Sequence, residues 1–406
     1  MLLDMLVDLE ITKYQEKRDI GHLKNIEKYV EILNERTFTE RFVRGLGFST
    51  SEAEQFIDHL KLEDHIEEKI HLTCNMIEED AVISITTTEC PLCMEQISEE
   101  EHEFEPLYQV DLQKEEYNGI REAVSKKLLN VFLDLDYSDN YQSLCNNISS
   151  TIPLVGAGFS MPLGAPSWEK LFLEFGSLIS EKFRDTYAAM IKPGDYFSGI
   201  PLLYQLSKSV REDRQLKPIA AEIIESHINY DTPNEKHNYV DLLKVKFPYY
   251  LTTNYDNALN IFSSRYSVPL EIEEIEDVQK FVSENKFRVI HLHGILDKPT
   301  SLVLTKDDYS RKYQNDAYTK KALALMAHKS LLFLGFSFSD EHFTELYKYV
   351  REIVGGRHYI VTTDASKADE LIQLNIMPIV LKVDNRDETV VALKYLLKNL
   401  EMINHV

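Results

Sequence analysis

The chain has 406 residues, of which 44% are hydrophobic and 27% charged, an ordinary globular composition with room for two or three domains. Its net charge of −23 is concentrated in residues 1–150, which hold 33 acidic and 14 basic side chains. The acidic excess is densest from Glu78 to Glu116, where Lys114 is the one lysine or arginine. Such a surface repels phosphate backbones, so we expect no direct nucleic-acid binding; a solvated face and a docking surface for a basic partner remain alternatives.

The sequence also restricts where the protein acts. The apolar N-terminal segment is interrupted by acids and has no basic start, so we expect no signal peptide. No run of about 18 uncharged apolar residues occurs, which predicts no membrane span. Four cysteines, none after Cys145, do not make a disulfide framework, and this favours a reducing cytoplasm.

Residues 1–148 are predicted to form an acidic accessory domain. Apolar periodicity predicts helices within 21–60, and the Ser-Thr-Ser run at 49–51 offers an N-cap for the second helix. Alternating stretches at 67–74 and 81–90 then predict a hairpin. Helices followed by a small hairpin suggest a winged-helix-like fold, and the acidic charge favours its use in pairing proteins.

The hairpin region carries Cys74, Cys90 and Cys93, the last two as C-P-L-C. A zinc ribbon needs two such cysteine pairs, and the partner of Cys74 is missing. His102 could substitute, but nothing in the sequence requires it. We therefore expect a degenerate zinc ribbon held together by apolar packing, with structural zinc at the three cysteines as the alternative.

From residue 149 to about 400 the pattern changes to strand, turn and helix. After a helix and polar linker in 117–148, apolar strands separated by helices predict an α/β, Rossmann-like doubly wound parallel sheet. The interval of about 170–245 is mainly helical and predicts an insertion. The predicted strands are Ile152–Val155, Tyr249–Thr252, Val289–Leu292, Leu302–Thr305, Leu331–Leu334, His358–Val361 and Pro378–Leu381.

The first of these strands ends in a glycine-rich turn, GAGFS at 156–160. Gly156 and Gly158 lack a Cβ, so the backbone can turn sharply and approach a ligand, and the helix that follows can present N–H groups to a pyrophosphate. A plain strand-to-helix turn is the alternative. The third glycine and acidic residue of the usual dinucleotide fingerprint are not evident, which excludes a standard dehydrogenase site.

Two further strand ends carry polar groups that could bind a ligand or take part in catalysis. In LTTNYD, Asn254 can both donate and accept hydrogen bonds to a ribose or a water, whereas Asp256 either contacts a ligand or caps the next helix. In VIHLHG, His291 and His293 share one face of the strand. We expect His293, at the turn, to be the more exposed to a ligand and able to act as a general base.

The strand LLFLGFSFSD completes the set, because Gly335 permits a close approach and Ser337 can bond a phosphate or ribose. Ligands bind at the carboxyl ends of strands in an open parallel sheet. Glycine, asparagine, histidine and serine at four such ends therefore predict a nucleotide site with catalytic groups beside it.

The motifs GAGFS, TTNYD, HLHG and GFSFSD, in this order, resemble the sirtuin-like domain of bacterial antiphage NADases over roughly 150–395. The resemblance implies that Asn254 and His293 are catalytic and that NAD is the substrate. Thr253 stands where true sirtuins carry glutamine. The NAD contacts that the resemblance implies are Gly156, Ala157, Gly158, Phe159, Ser160, Thr253, Asp256, Gly335 and Ser337.

One departure from true sirtuins decides the expected reaction. Protein-deacylating sirtuins carry a four-cysteine zinc module after the catalytic histidine, whereas no cysteine follows Cys145 here. We therefore expect hydrolysis of NAD to nicotinamide and ADP-ribose, with no metal in the site. The alternatives are NAD-dependent deacylation or ADP-ribosylation, and a non-catalytic subunit that binds NAD or ADP-ribose.

The resemblance further implies a regulated effector of abortive infection, since an uncontrolled NADase would kill its own cell. No sensor motif is evident in the accessory domain. We therefore expect it to mediate homo-oligomerisation or to bind a separately encoded sensor or ATPase subunit.

Overall fold

The computed structural model describes residues 2–404 except 193–194, 266–267, 285, 328, 337–346, 348–350 and 352–355. The chain divides into two compact units, Met1–Val131 and Phe132–Val406. No helix among the described residues is both long enough and apolar enough to cross a membrane.

The first unit combines helices with an antiparallel sheet of order β1-β4-β2-β3. Its helices are α1 (Leu2–Lys17), α2 (Gly21–Ile32), α3 (Glu40–Gly45), α4 (Thr50–Leu62) and α5 (Lys114–Asn130). Its strands are β1 (Thr37–Phe38), β2 (Ile66–Cys74), β3 (Glu79–Ser84) and β4 (His102–Val110). The β2–β3 hairpin is as predicted, although β3 is shorter; β4, which pairs along all of β2, was not predicted.

Capping and aromatic packing fix the helices of this unit. Ser49 begins α4 with a capping box: the Glu52 amide donates to Ser49 Oγ at 3.3 Å, and the Ser49 amide donates to Glu52 Oε2 at 2.9 Å. Tyr29 of α2 stacks on Phe56 of α4 with ring centroids 4.8 Å apart. The predicted N-cap and the helices predicted within 21–60 are therefore confirmed.

The second unit is built on a parallel sheet. Its strands are β5 (Thr151–Val155), β6 (Tyr250–Thr252), β7 (Leu270–Glu271), β8 (Val289–His291), β9 (Ser330–Leu334), β10 (His358–Thr362) and β11 (Ile376–Val380). Its described helices are α6 (Ser138–Asn147), α7 (Trp168–Glu174), α8 (Arg184–Ala188), α9 (Ile200–Leu206), α10 (Asp213–His227), α11 (Tyr239–Lys244), α12 (Ala258–Ile261), α13 (Val278–Ser283), α14 (Lys306–Tyr313), α15 (Asp316–Met326), α16 (Ala368–Gln373) and α17 (Arg386–Asn404).

The sheet has the order β11-β10-β9-β5-β6-β8-β7, with every pairing parallel. The chain starts in the middle at β5, proceeds outward through β6 and then returns to the other side of β5 as β9. The strand order therefore reverses beside β5, and in this type of fold the reversal point is where ligands bind. The predicted doubly wound α/β architecture is confirmed.

The central strands are buried because both faces of the sheet are covered. Every residue of β5 is buried, as expected of a strand in the middle of a parallel sheet. One apolar core lies on the sheet and includes Leu154, Leu251 and Phe333. A second core, which includes Phe172, Tyr187 and Leu216, lies among α7, α8 and α10. The predicted helical insertion therefore has its own apolar interior.

Two predictions about the elements of this unit were wrong, and one strand was missed. The expected polar linker after residue 135 is largely α6, which is tied to the sheet through hydrogen bonds from Asn140 to the Pro378 carbonyl and between Ser143 and Tyr359. The stretch 302–305 is not a strand. Strand β7 was not predicted, because two residues are too short to produce a periodic pattern.

The segment predicted as a strand at 302–305 instead leads into α14. Thr305 caps that helix, and the Asp308 carboxylate accepts from the Leu304 amide at 3.0 Å. The other oxygen of Asp308 accepts from Lys217 of α10 at 2.6 Å, in a buried ion pair. The run is apolar because Leu302 and Leu304 fill the core of the insertion.

Candidate active site

The loops that follow β5 and β9 interlock through glycines. The Gly156 amide donates to the Leu334 carbonyl at 2.8 Å, and the Gly158 amide donates to the Gly335 carbonyl at 3.0 Å. A Cβ at Gly158 would lie 2.9 Å from the Gly335 carbonyl oxygen. Gly335 has φ +74°, and a Cβ there would lie 2.4 Å from the Phe159 nitrogen. Neither loop tolerates a side chain at these contacts, so both strand ends keep their backbone within reach of a ligand.

Asn254, at the end of β6, is held behind the first glycine loop. Its Nδ2 donates to the Gly156 carbonyl at 3.1 Å and to Ser160 Oγ at 2.7 Å, and its side chain is buried. A carbonyl only accepts, so this contact fixes the orientation of the amide. Oδ1 of Asn254 is buried without a hydrogen-bond partner among the described residues. A buried acceptor left unpaired is costly, and a ligand hydroxyl or a water would satisfy it.

Ser160 joins this amide to a buried carboxylate. Its hydroxyl donates to Asp256 Oδ2 at 2.7 Å and lies 2.6 Å from the hydroxyl of Tyr239. The other oxygen of Asp256 accepts from the Ala258 amide at 3.1 Å and so caps α12. Burial raises the pKa of Asp256, while the Ser160 hydrogen bond opposes that rise. Asp256 therefore combines the capping role with the contact to the glycine loop.

His291 supports Asn254 from the neighbouring strand β8. Its Nδ1 lies 3.0 Å from the Asn254 carbonyl oxygen, and its Nε2 is buried without a partner among the described residues. The carbonyl accepts the Nδ1 proton, so Nε2 is the unprotonated nitrogen. Burial lowers the pKa of His291 to about 4, which keeps the ring neutral near pH 7.

His293 does not have the exposure that we expected. Only 3% of its surface is accessible, and its Nε2 is hydrogen-bonded to the hydroxyl of Tyr313 on α14. The ring also packs edge-on against Tyr309, with centroids 5.4 Å apart. The turn at Gly294, with φ +93°, folds the segment back, since the Val303 amide donates to the His293 carbonyl at 2.9 Å. Two tyrosines of one helix therefore cover the histidine.

A pocket of about 690 Å³ opens beside the interlocked loops. Ala157, Gly158, Phe159 and Gly335 line it, together with residues at the carboxyl end of β10. Asn254 and His293 are not among the described residues of its lining. Three charged groups reach the same pocket at its outer part, and they are Asp364, Lys367 and Arg386.

The structure thus brings some predicted site residues together and leaves others apart. Gly156, Ser160, Asn254 and Asp256 form one hydrogen-bonded cluster. Thr253 is half-buried, and its amide donates to the Val155 carbonyl at 3.0 Å. Ser337 lies outside the described residues.

Sequence reasoning missed several residues around these groups. Tyr239 and Tyr313 reach the cluster and the histidine from helices that carry no motif of their own. Lys367 and Arg386 approach the pocket from beyond β10 and β11. No local pattern identifies them, because their positions depend on tertiary packing.

A comparison with protein families agrees with the parallel sheet and with the motifs at its strand ends. Residues 248–380 match the family model described as the SIR2-like domain. That span starts just before β6 and ends with β11. It includes Asn254, His293 and Gly335, whereas the GAGFS loop precedes it. The resemblance stated from the four motifs is therefore confirmed.

Three relatives carry the name NAD(+) hydrolase ThsA. The protein from Bacillus cereus (strain MSX-D12) is 26% identical over 225 residues, which are 53% of this chain and 44% of the relative. The protein from Enterococcus faecium is 26% identical over 209 residues, 49% of this chain and 39% of the relative. The protein from Acinetobacter baumannii (strain 532279) is 24% identical over 234 residues, which are 53% of this chain and 42% of the relative. The match thus spans less than half the length of each relative.

Proposed function

We propose that the protein hydrolyses NAD to nicotinamide and ADP-ribose. The observation that carries this proposal is the buried Asn254–Ser160–Asp256 cluster against a glycine loop, at the point where the strand order of a SIR2-like sheet reverses. The similarity to proteins named NAD(+) hydrolase supports the choice of substrate.

In the proposed reaction the bond between nicotinamide and C1′ of the ribose breaks, and the oxygen of water bonds to C1′. Nicotinamide leaves with the bonding electron pair, and the water gives up one proton. Because nicotinamide is a cationic leaving group in NAD, the protein needs no strong acid. It must hold the ribose, stabilise positive charge at C1′ and admit one water.

Asn254 is proposed to orient the ribose or the attacking water. Its Nδ2 is fixed by the Gly156 carbonyl and Ser160, which leaves Oδ1 as the atom that accepts from a substrate hydroxyl or water. Ser160 and Asp256 act through Asn254, since they hold the amide in one rotamer. His291 holds the Asn254 backbone in the same way.

His293 is proposed to accept a proton from a ribose hydroxyl or from the water. The hydroxyl of Tyr313 now occupies the Nε2 side of the ring. Substrate must therefore either move that hydroxyl or reach the other ring nitrogen. This requirement fits an enzyme that is inactive until triggered.

The remainder of NAD is proposed to lie in the 690 Å³ pocket. Its proposed contacts there are Ala157, Gly158, Phe159 and Gly335. Thr253 and Ser337 stay as contacts predicted from the sequence, and Ser337 lies outside the described residues. Lys367 and Arg386 bring two positive charges to this pocket against the one carboxylate of Asp364, and the net positive charge would stabilise a pyrophosphate.

We further propose that the protein is a regulated effector of antiphage defence in the cytoplasm. NAD loss would stop the host cell, so activity must wait for a trigger. The accessory region, proposed as residues 1–148, would provide this control through homo-oligomerisation or a separately encoded partner subunit. Deletion of residues 1–131, the first compact unit, should change the size of the assembly or the basal activity; an unchanged size, partner binding and regulation would contradict this role.

The direct test is to incubate the purified chain with NAD, alone and with lysate from infected cells, and to follow nicotinamide and ADP-ribose by chromatography. Asn254→Ala and His293→Ala should each lower nicotinamide release by about a hundred-fold or more. The matched controls are Asn229→Ala and His227→Ala, two residues near the end of α10 and outside the strand-end cluster. The Asn229 side chain accepts from the Asp231 amide, and the His227 ring contacts the Ile223 carbonyl and Glu174 of α7. Both controls should keep full activity.

The outcomes separate the three functions. Near-normal release by both Asn254→Ala and His293→Ala would refute the assignment. Release that requires an acetylated peptide would indicate a deacylase, and transfer of ADP-ribose to protein would indicate a transferase. NAD binding without release under any condition would favour a regulatory subunit.

A further inference from the structure

A second cluster of reactive side chains lies in the first unit and plays no part in the proposed reaction. It consists of Cys74, Cys90, Cys93 and His102, whose ligand atoms all lie within 4.8 Å of one another. Sγ of Cys93 is 3.4 Å from Nε2 of His102. In a tetrahedral zinc site with bonds of about 2.1–2.3 Å, two ligand atoms lie roughly 3.5–3.8 Å apart. The four atoms are therefore within about 1 Å of the spacing that one zinc ion requires.

Two separate features of the backbone bring these ligands together. The antiparallel register places Cys74, the last residue of β2, directly opposite His102, the first residue of β4. The sequence C-P-L-C forms a tight turn, in which the Met94 amide donates to the Cys90 carbonyl at 2.9 Å. In the same turn the Leu92 amide donates a hydrogen bond to Cys90 Sγ at 3.4 Å. An amide directed at sulphur stabilises a metal-bound thiolate.

Burial also fits a structural ion. Cys74, Cys90 and His102 have at most 1% of their surface exposed. A fully protein-ligated Cys₃His set with buried ligands is typical of structural zinc, whereas catalytic zinc keeps an open position. His102 would be the fourth ligand of such a site, a role that the sequence alone allowed but did not require.

The apolar core around the cluster is small. The segment 85–101 between β3 and β4 contains no described helix or strand beyond one bridge, between Glu89 and Gln96. The buried residues of the local apolar core are Leu72, Ile83 and two of the cysteines themselves, and the other apolar residues packed against it are only partly buried. So small a core rarely holds a loop of this length, and a metal ion is a common solution.

We propose that Cys74, Cys90, Cys93 and His102 bind one structural zinc ion that anchors the segment 85–101 to the sheet. The cysteines are free thiols, so the set is in the reduced form that zinc needs. A disulfide would use two cysteines and leave the third facing His102.

The test measures zinc in the full-length chain, purified under reducing conditions and dialysed against a mild chelator. About one zinc per chain is expected. Cys93→Ser should lower the zinc content at least tenfold. Cys145→Ser is the matched control, since Cys145 lies on α6 in the second unit, and it should keep the metal. Cobalt in place of zinc should give the visible absorption of a tetrahedral thiolate site in the wild type and the control.

The proposal is overturned if the folded, reduced wild type holds neither zinc nor cobalt, or if Cys93→Ser keeps as much zinc as the control. A chain lighter by two hydrogens, with Cys90 linked to Cys93, would also overturn it in favour of a disulfide. If Cys93→Ser does not fold, Cys93→His keeps a zinc ligand at the position and should restore both folding and metal content. None of these measurements depends on NAD hydrolysis.

Discussion

Substituting Gly335 by alanine tests the interlock between the two glycine loops. The new Cβ would lie 2.4 Å from the Phe159 nitrogen, whereas ordinary contact begins at 3.4 Å. The loop after β5 must therefore move by about 1 Å, and a displacement of that size in a catalytic site costs on the order of a hundred-fold in rate. The positive φ of +74° adds about 1–2 kcal/mol of backbone strain to the folded state.

Gly356→Ala is the control that separates strain from displacement. Gly356 has φ +93°, but a Cβ there would meet no described atom within 4 Å. It should lose about 1–2 kcal/mol of stability and keep its activity. Chemical denaturation and nicotinamide release are measured for both variants. The close contact between the loops would be refuted if the two variants were equally stable and their rates of nicotinamide release differed by less than about threefold.

Further predictions concern stability. Burial lowers the pKa of His291 from 6.5 to about 4. Because the unfolded chain then binds the proton more readily than the folded chain, protonation favours unfolding. This contribution to stability is fully present above pH 6.5, and the free energy of unfolding falls by up to about 3 kcal/mol as the pH drops from there through 4. Denaturation at about pH 7 and about pH 4.5 should show this loss in the wild type but not in His291→Gln. Ser49→Ala should lower the free energy of unfolding by about 1 kcal/mol, because Ser49 is the N-cap of α4. Ser51→Ala, inside the same helix, is the control and should lower it by much less. Equal losses for the two variants would contradict the capping role of Ser49. Lys217→Met should cost about 2 kcal/mol by thermal or chemical unfolding, because the buried Asp308 carboxylate loses its buried cation and retains the more exposed Arg311 at 2.6 Å. A loss below about 0.5 kcal/mol would contradict a stabilising role of the buried pair.

Local patterns were sufficient for the central strands of the sheet and for the motifs at their ends. The central strands are continuous apolar runs followed by glycine or polar residues, and such runs, when helical stretches separate them, are typical of a buried parallel sheet. The cap at Ser49 was predictable for the same reason, because its hydrogen bonds join residues three positions apart.

Other features depend on contacts that no local pattern encodes. The exposure of His293 was mispredicted because Tyr309 and Tyr313, which cover it, belong to a helix whose own sequence is mostly polar. The run 302–305 looks like a strand because it is apolar, yet its partner is the helical insertion. His102 joins Cys74 only through the register of a strand that was not predicted.

The central place of β5 has a consequence for the synthesis of the protein. The Gly156 loop closes only against Gly335, and roughly 180 residues separate the two. At about 5–20 residues per second, a ribosome needs about 10–40 s to make that interval. During this time β5 has neither neighbour until β6 appears, and the pocket lacks one wall until β9 appears. If the protein is the NADase proposed above, a nascent chain cannot hydrolyse NAD until translation has passed β9.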